Sequence, residues 1–212
     1  MRTIISIFLI FSLWAPASYA GNADTKKLGE YIENLINEGH KMFNNKKMSQ
    51  TDRYHKTTKL IEGHLYLDWM AKYTLGRHRR TIDKKKISEF SATYAKFIVK
   101  VYADLSVHYN GEKARLRKIK QIDDNLFIVN TVIIKPADQD TIKIDYLVHE
   151  INETGDDPYR VGDIITEGIS ILNSQQAEFN SVISTRGIDA LIVDLQERIN
   201  RAPALAPAGS DV

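Results

Sequence analysis

The first part of the chain repeats its apolar positions with the period of an α-helix. Asp24 or Thr25 is placed to cap a first helix, and Asn44-Asn45 ends it. Ser49 is placed to cap a second, more polar helix that continues through Leu65. The apolar stripe that predicts the first helix consists of Leu28, Tyr31, Ile32, Leu35, Ile36, Met42 and Phe43.

Two further helices follow before the pattern changes. The stretch from Leu67 to Leu75 predicts a short helix, with Asp68 placed to cap it and Gly76 in a C-cap position. A long helix is predicted from roughly Asp83 to Leu105, and its apolar face is rich in aromatic residues. That face consists of Ile87, Phe90, Tyr94, Phe97, Ile98, Val101, Tyr102 and Leu105.

From Asn110-Gly111 onward, apolar and polar positions alternate with period two, which is typical of β-strands. The loops between the strands are short, and short loops imply antiparallel neighbours, because a parallel crossover needs about a dozen residues or more. The four predicted strands are Lys113 to Lys120, Leu126 to Ile134, Thr141 to Ile151 and Tyr159 to Ile171.

Two closing helices are predicted, about Asn173 to Ser184 and Ile188 to Arg201. The order of elements predicts an α+β fold. In it, a curved antiparallel sheet of four or slightly more strands is covered on one face by helices. The tail from residue 201 to residue 212 has nothing to bury and is predicted to be disordered.

The last predicted strand carries an unusual pattern in the stretch VGDIITEGISI. Four apolar residues share one parity, as the inward face of a strand should: Val161, Ile165, Ile169 and Ile171. Asp163 and Glu167 share that parity too. Because unpaired charges are costly in an apolar interior, we expect glycine bulges in this strand to turn both carboxylates toward solvent or toward loop amides.

The N-terminus has the layout of a secretory signal peptide. Arg2 supplies the positive charge, and Ile4 to Trp14 form an apolar run shorter than a membrane span. Ser18-Tyr19-Ala20 offers the small residues of a cleavage site, so we predict cleavage after Ala20. The mature chain is then predicted to be one exported, soluble domain over residues 21–200.

Composition excludes several functional classes. The 212 residues carry 29 basic and 27 acidic side chains, and a net charge of +2 gives no argument for nucleic acid as a partner. The chain has no cysteine, which removes thiol catalysis and thiolate metal sites. Outside the N-terminus, no apolar stretch approaches the length of a membrane span.

The usual equipment of an enzyme is also missing. The chain has no phosphate-binding loop, no nucleophile elbow and no HExxH motif, and its six histidines are scattered. Asp163 and Glu167 are the best acid–base candidates, but four residues of extended strand separate them by about 13 Å. That exceeds the roughly 5 to 9.5 Å between glycosidase carboxylates. An exported acid–base enzyme using this pair is therefore an alternative hypothesis only.

A local basic cluster precedes the long helix. It combines Arg77-His78-Arg79-Arg80 with Lys84-Lys85-Lys86. One interpretation is a solvated helix start, and the other is a patch that meets phosphate groups or an acidic partner.

Five segments in one order resemble a known family: LYLDWMAKYTLGRHRR, FSATYAKFIVKVYADL, YNGEKARL, YRVGDIITEGISI and AEFNSVISTRGIDALIVDL. They are similar to the MlaC-like periplasmic phospholipid-shuttle proteins, also called toluene-tolerance auxiliary proteins. The resemblance covers roughly Leu28 to Ile199, nearly all of the predicted mature chain.

The resemblance implies a monomeric periplasmic lipid carrier of the Mla pathway, without catalytic activity, cofactor or metal. The carrier would serve outer-membrane lipid asymmetry as the auxiliary component of an ABC transporter. It would hold phospholipid acyl chains in an apolar cavity between sheet and helices. It would exchange lipid with an inner-membrane transporter ring protein and an outer-membrane lipoprotein–porin complex. Relatives associated with hopanoids leave another lipid as an alternative ligand.

The resemblance also implies a set of lipid-contacting residues on the short helix, the long helix, the last strand and the helix that follows it. This set consists of Leu67, Met70, Leu75, Phe90, Tyr94, Phe97, Ile98, Val101, Tyr102, Val161, Ile165, Ile169, Ile171, Phe179 and Ile183.

Periodicity alone also allows an ordinary filled core for the aromatic stripe, since core stripes outnumber ligand cavities. A third hypothesis is therefore a non-lipid interaction module of the same fold. Tyr94 and Tyr102 favour a cavity, because a filled core usually avoids phenols that lack a partner.

Overall fold

The computed structural model describes most of the predicted mature chain, namely residues 23–45, 47–107, 109, 111–136, 140–151 and 158–201. The predicted signal peptide lies outside the described residues. The predicted tail also lies outside them, except for Arg201, which is the C-cap of the last helix.

Helices precede and follow a single sheet, in the predicted order. The helices are α1 (Ala23–Phe43), α2 (Gln50–His64), α3 (Leu67–Thr74), α4 (Lys84–Val107) and α5 (Ile171–Asn200), with a 3₁₀ turn over Gly76–Arg80 between α3 and α4. The strands are β1 (Lys113–Asp123), β2 (Leu126–Ile134), β3 (Thr141–Glu150), β4 (Tyr159–Thr166) and β5 (Ile169–Ser170).

The sheet is an open, curved, antiparallel meander in the order β1-β2-β3-β4-β5, which confirms the predicted fold class. It has five strands because the predicted fourth strand splits. Glu167 (φ 49) and Gly168 (φ 83) form a two-residue turn between Thr166 and Ile169, the geometry that closes tight hairpins. Register shifts in β1 and β4 are bulges, which bend the strands that carry them.

The helix ends follow the sequence signals at some positions and differ at others. Ser49 caps α2 as predicted, since its hydroxyl accepts a hydrogen bond from the Asp52 amide. The prediction that Asp68 caps α3 is wrong: the N-cap is Tyr66, and the Asp68 carboxylate instead accepts from Lys72 Nζ at 2.5 Å. Because α1 begins at Ala23, Asp24 and Thr25 lie within its first turn.

The two predicted closing helices form one element, α5, with a kink at the expected place. Gly187 lies at φ 83 and ψ 170 inside it, a conformation that interrupts the helix and that glycine adopts without strain. The element starts at Ile171, before the predicted Asn173, because the Ser170 hydroxyl caps it by accepting from the Asn173 amide.

The core lies between the helices and one face of the sheet. On β2, alternate residues Phe127, Val129 and Thr131 are buried, as expected for a strand with one covered face. The largest fully buried side chains include Leu28 of α1, Phe90, Tyr94 and Ile98 of α4, and Phe179 and Leu195 of α5. Among the described residues, no helix combines the length and the apolar character that a bilayer span requires.

Candidate functional site

An apolar pocket of about 430 Å³ lies between the first two helices and the sheet. Its size falls within the roughly 300–1,000 Å³ of small-molecule sites. The α1 and α2 side of the pocket consists of Ile32, Leu35, Ile36, Gly39, His40, Phe43, Leu60, Ile61, His64 and Leu65. The opposite side consists of Tyr102, Tyr109, Glu112, Ala114, Thr131, Ile133, Tyr146, Val161 and Ile164.

Helix α1 supplies one wall through its apolar stripe. Ile32, Ile36, Gly39 and Phe43 recur at intervals of three and four residues and so lie on one face. The position of Gly39 bears no side chain. A β-carbon there would meet nothing closer than the Phe43 ring at 3.9 Å, so part of the pocket exists because this residue is glycine.

A bulge at Gly162 decides which residues of β4 reach the pocket. Val161 pairs with Val148, and Asp163 pairs with Leu147, so one extra residue separates the two pairs on β4. The parity of the strand therefore changes at Gly162, and Val161 and Ile164 both line the pocket.

The expectation that Val161, Ile165, Ile169 and Ile171 share one inward strand face is wrong. The same bulge separates Val161 from Ile165, and Ile171 is the first residue of α5. Ile165 pairs with Asp145, while its neighbour Ile164 pairs with the pocket residue Tyr146. Ile165 therefore lies on the other face of the sheet from the pocket. Ile169 follows the tight turn and is 66% exposed.

The two carboxylates of this stretch serve separate structural roles. Asp163 is buried and accepts hydrogen bonds from the Ile164 amide at 2.8 Å, the Ser170 hydroxyl at 2.5 Å and the Leu172 amide at 3.1 Å. The exposed Glu167 accepts from the Lys143 amide at 2.5 Å. The expectation of solvent or loop amides is thus wrong for Asp163, because it is buried and the amides that it meets belong to β4 and α5.

Ionisable groups of the pocket wall have protein partners. His40 Nε2 accepts from the Ala114 amide at 3.1 Å, and His64 Nδ1 lies 2.7 Å from the Tyr31 hydroxyl. Burial raises the pKa of Tyr102 and the pKa of Tyr146 further above the ordinary value for tyrosine, at which the phenol is already neutral at physiological pH. Among the described residues, no group of three or more His, Cys, Asp or Glu side chains could hold a metal ion. The wall thus presents a largely apolar surface.

The lipid-contacting set implied by the resemblance is divided by the structure. Two of its members, Tyr102 and Val161, line the pocket. Met70, Leu75, Phe90, Tyr94, Ile98 and Phe179 belong to the buried core, and Leu67, Phe97 and Ile183 pack against it. Val101, Ile165 and Ile171 are partly buried outside that cluster, and Ile169 is exposed.

Around Phe179 the interior is filled with side chains. Its ring packs edge-on against the rings of Phe90 and Tyr94, with distances of 6.1 Å and 6.2 Å between ring centroids. The Tyr94 hydroxyl donates to Gln175 Oε1 at 2.7 Å, so this phenol has a partner. Tyr94 therefore does not indicate a cavity, because its hydroxyl has a hydrogen-bond partner within a packed core.

Sequence reasoning missed the α1 and α2 wall of the pocket. The stripe of α1 was visible, but a stripe shows only which residues face inward. A signal that could have indicated the space is Gly39, a helix-interior glycine on the apolar stripe, where glycine is otherwise unfavourable.

Comparisons with known proteins agree on one family. The family model described as MlaC protein matches residues 33–197. Over 132 residues the chain is 24% identical to the intermembrane phospholipid transport system binding protein MlaC of Haemophilus influenzae. That alignment covers 62% of this chain and 61% of the relative.

The fold is similar to a solved structure, that of a phospholipid-binding protein from Ralstonia solanacearum in complex with a phospholipid. The TM-score is 0.66, the sequence identity is 15%, and the match covers 80% of this chain and 95% of that chain. At this level of sequence identity, the comparison shows a similar fold and no more.

Proposed function

The chain belongs to the MlaC family, and from that membership we propose that it is a carrier that binds phospholipid by its acyl chains. The acyl chains occupy the pocket between α1, α2 and the sheet. The observation that carries the proposal is the pocket itself, an open space lined mainly by aliphatic and aromatic side chains in a fold shared with a phospholipid-bound protein.

The energetics of lipid transfer explain why such a pocket is needed. The two acyl chains of a phospholipid hold roughly 28 to 30 methylenes, and each costs about 0.8 kcal/mol to expose to water. Shielding them is worth on the order of 20 kcal/mol, far more than any hydrogen bond to the head group. An apolar wall that bears few ionisable groups supplies this shielding.

We propose that Tyr102 and Val161 contact the acyl chains together with residues of the α1 wall such as Ile36 and Phe43. Lipid contact by the other members of the set named from the resemblance stays a prediction. Photo-crosslinking from a probe at Ile36, compared with a probe at Phe97, tests the assignment. Lipid adducts at Ile36 support the pocket, and adducts confined to Phe97 contradict it.

The carrier works in the periplasm, exported by the predicted signal peptide, and exchanges lipid with complexes in the two membranes. The name of the Haemophilus influenzae relative, an intermembrane transport system binding protein, supports this placement. The predicted partners are an inner-membrane transporter ring protein and an outer-membrane lipoprotein–porin complex. A carrier only equilibrates its cargo, so energy for net transport comes from such a partner.

Native mass spectrometry of the purified mature chain tests the proposal. We expect phospholipid to co-purify at near-equal molar amount and to exchange with vesicles. Analysis of the extracted lipid separates a phospholipid cargo from a hopanoid cargo. Protein that is lipid-free and takes up nothing from vesicles of either lipid would overturn the proposal.

A further inference from the structure

A second pocket, of about 570 Å³, lies where the 3₁₀ turn joins the start of α4. It is rich in basic and hydroxyl side chains, unlike the apolar pocket. Along α4, 18 residues separate Lys84 of the second pocket from Tyr102 of the first, which is about 27 Å at 1.5 Å per residue. The two pockets therefore lie toward opposite ends of one helix and are separate sites.

Three cations of the second pocket have no counter-ion among the described residues. Arg79, Arg80 and Lys84 are exposed, and no carboxylate among the described residues lies within 4.0 Å of them. The acidic residue in the lining, Asp68, is already paired with Lys72 at 2.5 Å. The pocket thus presents a net positive charge that nothing in the described part of the protein neutralises.

The α4 wall of the pocket adds an unused hydroxyl group. Ser88 and Ser91 lie three residues apart, hence on the same side of the helix. The Ser91 hydroxyl oxygen is shielded from solvent and has no hydrogen-bond partner among the described residues. A shielded hydroxyl without a partner costs free energy, and Ser91 is one of the residues that line this pocket.

The start of α4 lies at this pocket, and its positive end is partly offset by the carboxylate of Asp83. The helix is 24 residues long and begins at Lys84, so its first amides lie at this pocket. One of them, the Lys85 amide, donates to the Asp83 carboxylate at 2.8 Å. Lys86 is engaged with Glu89 and Asp189 and does not add to the free charge.

We infer that this pocket binds a phosphate group, at a site distinct from the one that holds acyl chains. Arginine side chains offer forked N–H donors that match the oxygens of phosphate, and lysine adds a compact charge. Ser88 and Ser91 supply neutral donors, and Ile82 and Ile87 form an apolar wall that can adjoin the ester group. The phosphate belongs either to a free phosphate or to the head group of a lipid in a bilayer.

Binding to two probes distinguishes the sources. Inorganic phosphate is titrated into the mature chain by calorimetry, and vesicles of phosphatidylglycerol or phosphatidylcholine are tested by co-sedimentation. Binding of inorganic phosphate assigns a free-phosphate site, and binding of vesicles alone assigns a bilayer lipid. Either result supports the inference if it depends on the pocket residues. Binding of neither probe would overturn it.

Two variants test that dependence. Arg79→Gln with Arg80→Gln should weaken binding of the positive probe by about tenfold or more, since two charge-assisted donor groups are lost. Ser91→Ala leaves the net charge unchanged and should weaken binding several-fold, by about the amount that one hydrogen bond to a charged group contributes. Without ligand, the Ser91→Ala protein should be at least as stable to heat as the native protein.

The matched control removes two positive charges elsewhere. Lys113→Gln with Lys120→Gln changes two exposed residues on β1, outside this pocket, and should leave probe binding unchanged within about twofold at moderate salt. An equal loss of probe binding in the control and in the arginine variant would overturn the inference. It would show that the probe binds through diffuse surface charge and not at this pocket. Native-like binding by Ser91→Ala would overturn it as well.

Discussion

The buried carboxylate of Asp163 accepts a hydrogen bond of 2.5 Å from the hydroxyl of Ser170, the residue that caps α5. The same carboxylate accepts from the Leu172 amide in the first turn of that helix at 3.1 Å. One side chain therefore fixes the junction between the end of the sheet and the last helix. These hydrogen bonds account for a buried carboxylate at this position without any catalytic role.

Replacement of Asp163 by alanine should lower the free energy of unfolding by about 3 kcal/mol, because buried amide and hydroxyl donors would lose their acceptor. Urea denaturation measures the loss. Glu167→Ala is the control: its side chain is exposed, and we expect a loss below about 1 kcal/mol. Equal losses in the two variants would contradict the structural role of Asp163.

Filling the apolar pocket should separate lipid binding from stability. Gly39→Leu places a side chain in open space, so the bound phospholipid should fall well below equimolar. Removing a helix-interior glycine should at the same time stabilise the protein by up to about 1 kcal/mol. Native mass spectrometry and thermal unfolding report the two effects.

The matched control for the pocket is Gly63→Leu, on an exposed position of α2 where a β-carbon meets no atom within 4 Å. It should leave the lipid content unchanged. Undiminished lipid in the Gly39→Leu protein would show that the cargo lies elsewhere.

The bulge at Gly162 should not tolerate a side chain. A β-carbon there would lie 2.6 Å from His149 Nε2 and 3.0 Å from the Trp69 ring, so Gly162→Ala should cost about 1–3 kcal/mol. Adding His149→Ala removes the closest neighbour and should recover part of that loss. Urea denaturation of both single variants and of the double variant measures the coupling free energy between the two positions. Losses in the free energy of unfolding that simply add would contradict this contact.

His149 should make stability depend on pH. Its ring packs against Trp69 and Tyr66, with distances of 4.5 Å and 5.6 Å between ring centroids. Burial lowers the pKa of His149 below the ordinary value of 6.5. As pH drops below about 6.5, His149 is protonated in the unfolded chain before it is protonated in the folded chain. The free energy of unfolding therefore falls with pH in this range.

The variant His149→Phe isolates this contribution. Relative to the native protein, its free energy of unfolding should rise as pH is lowered from about 7 to about 5. Denaturation curves over that range measure the difference. A difference that stays constant with pH would mean that His149 titrates alike in both states.

The core around Phe179 should behave as a filled interior. Phe179→Ala removes a ring that packs against Phe90 and Tyr94, and we expect a loss of about 3–5 kcal/mol. Val193→Ala, on an exposed position of the same helix, should cost less than about 0.5 kcal/mol. A small loss at Phe179 would indicate that this region is loosely packed.

The order of the helices and strands and the family of the chain could be read from the amino-acid sequence alone. The stripe of α4, the Ser49 cap and the antiparallel meander depend on neighbours within a few residues, and such local signals can be read without coordinates. The break in α5 at Gly187 was readable for the same reason.

Where the interior is open and where it is filled could not be read from the sequence. Periodicity shows that Ile36 and Phe179 both face inward, but one lines a pocket and the other fills the core, because open space depends on residues distant in sequence. The register shift at Gly162 likewise needs the partner strand to be seen, and it moves Ile165 off the pocket face. Asp163 accepts a hydrogen bond from the Leu172 amide in the following helix, a contact that strand parity alone does not predict.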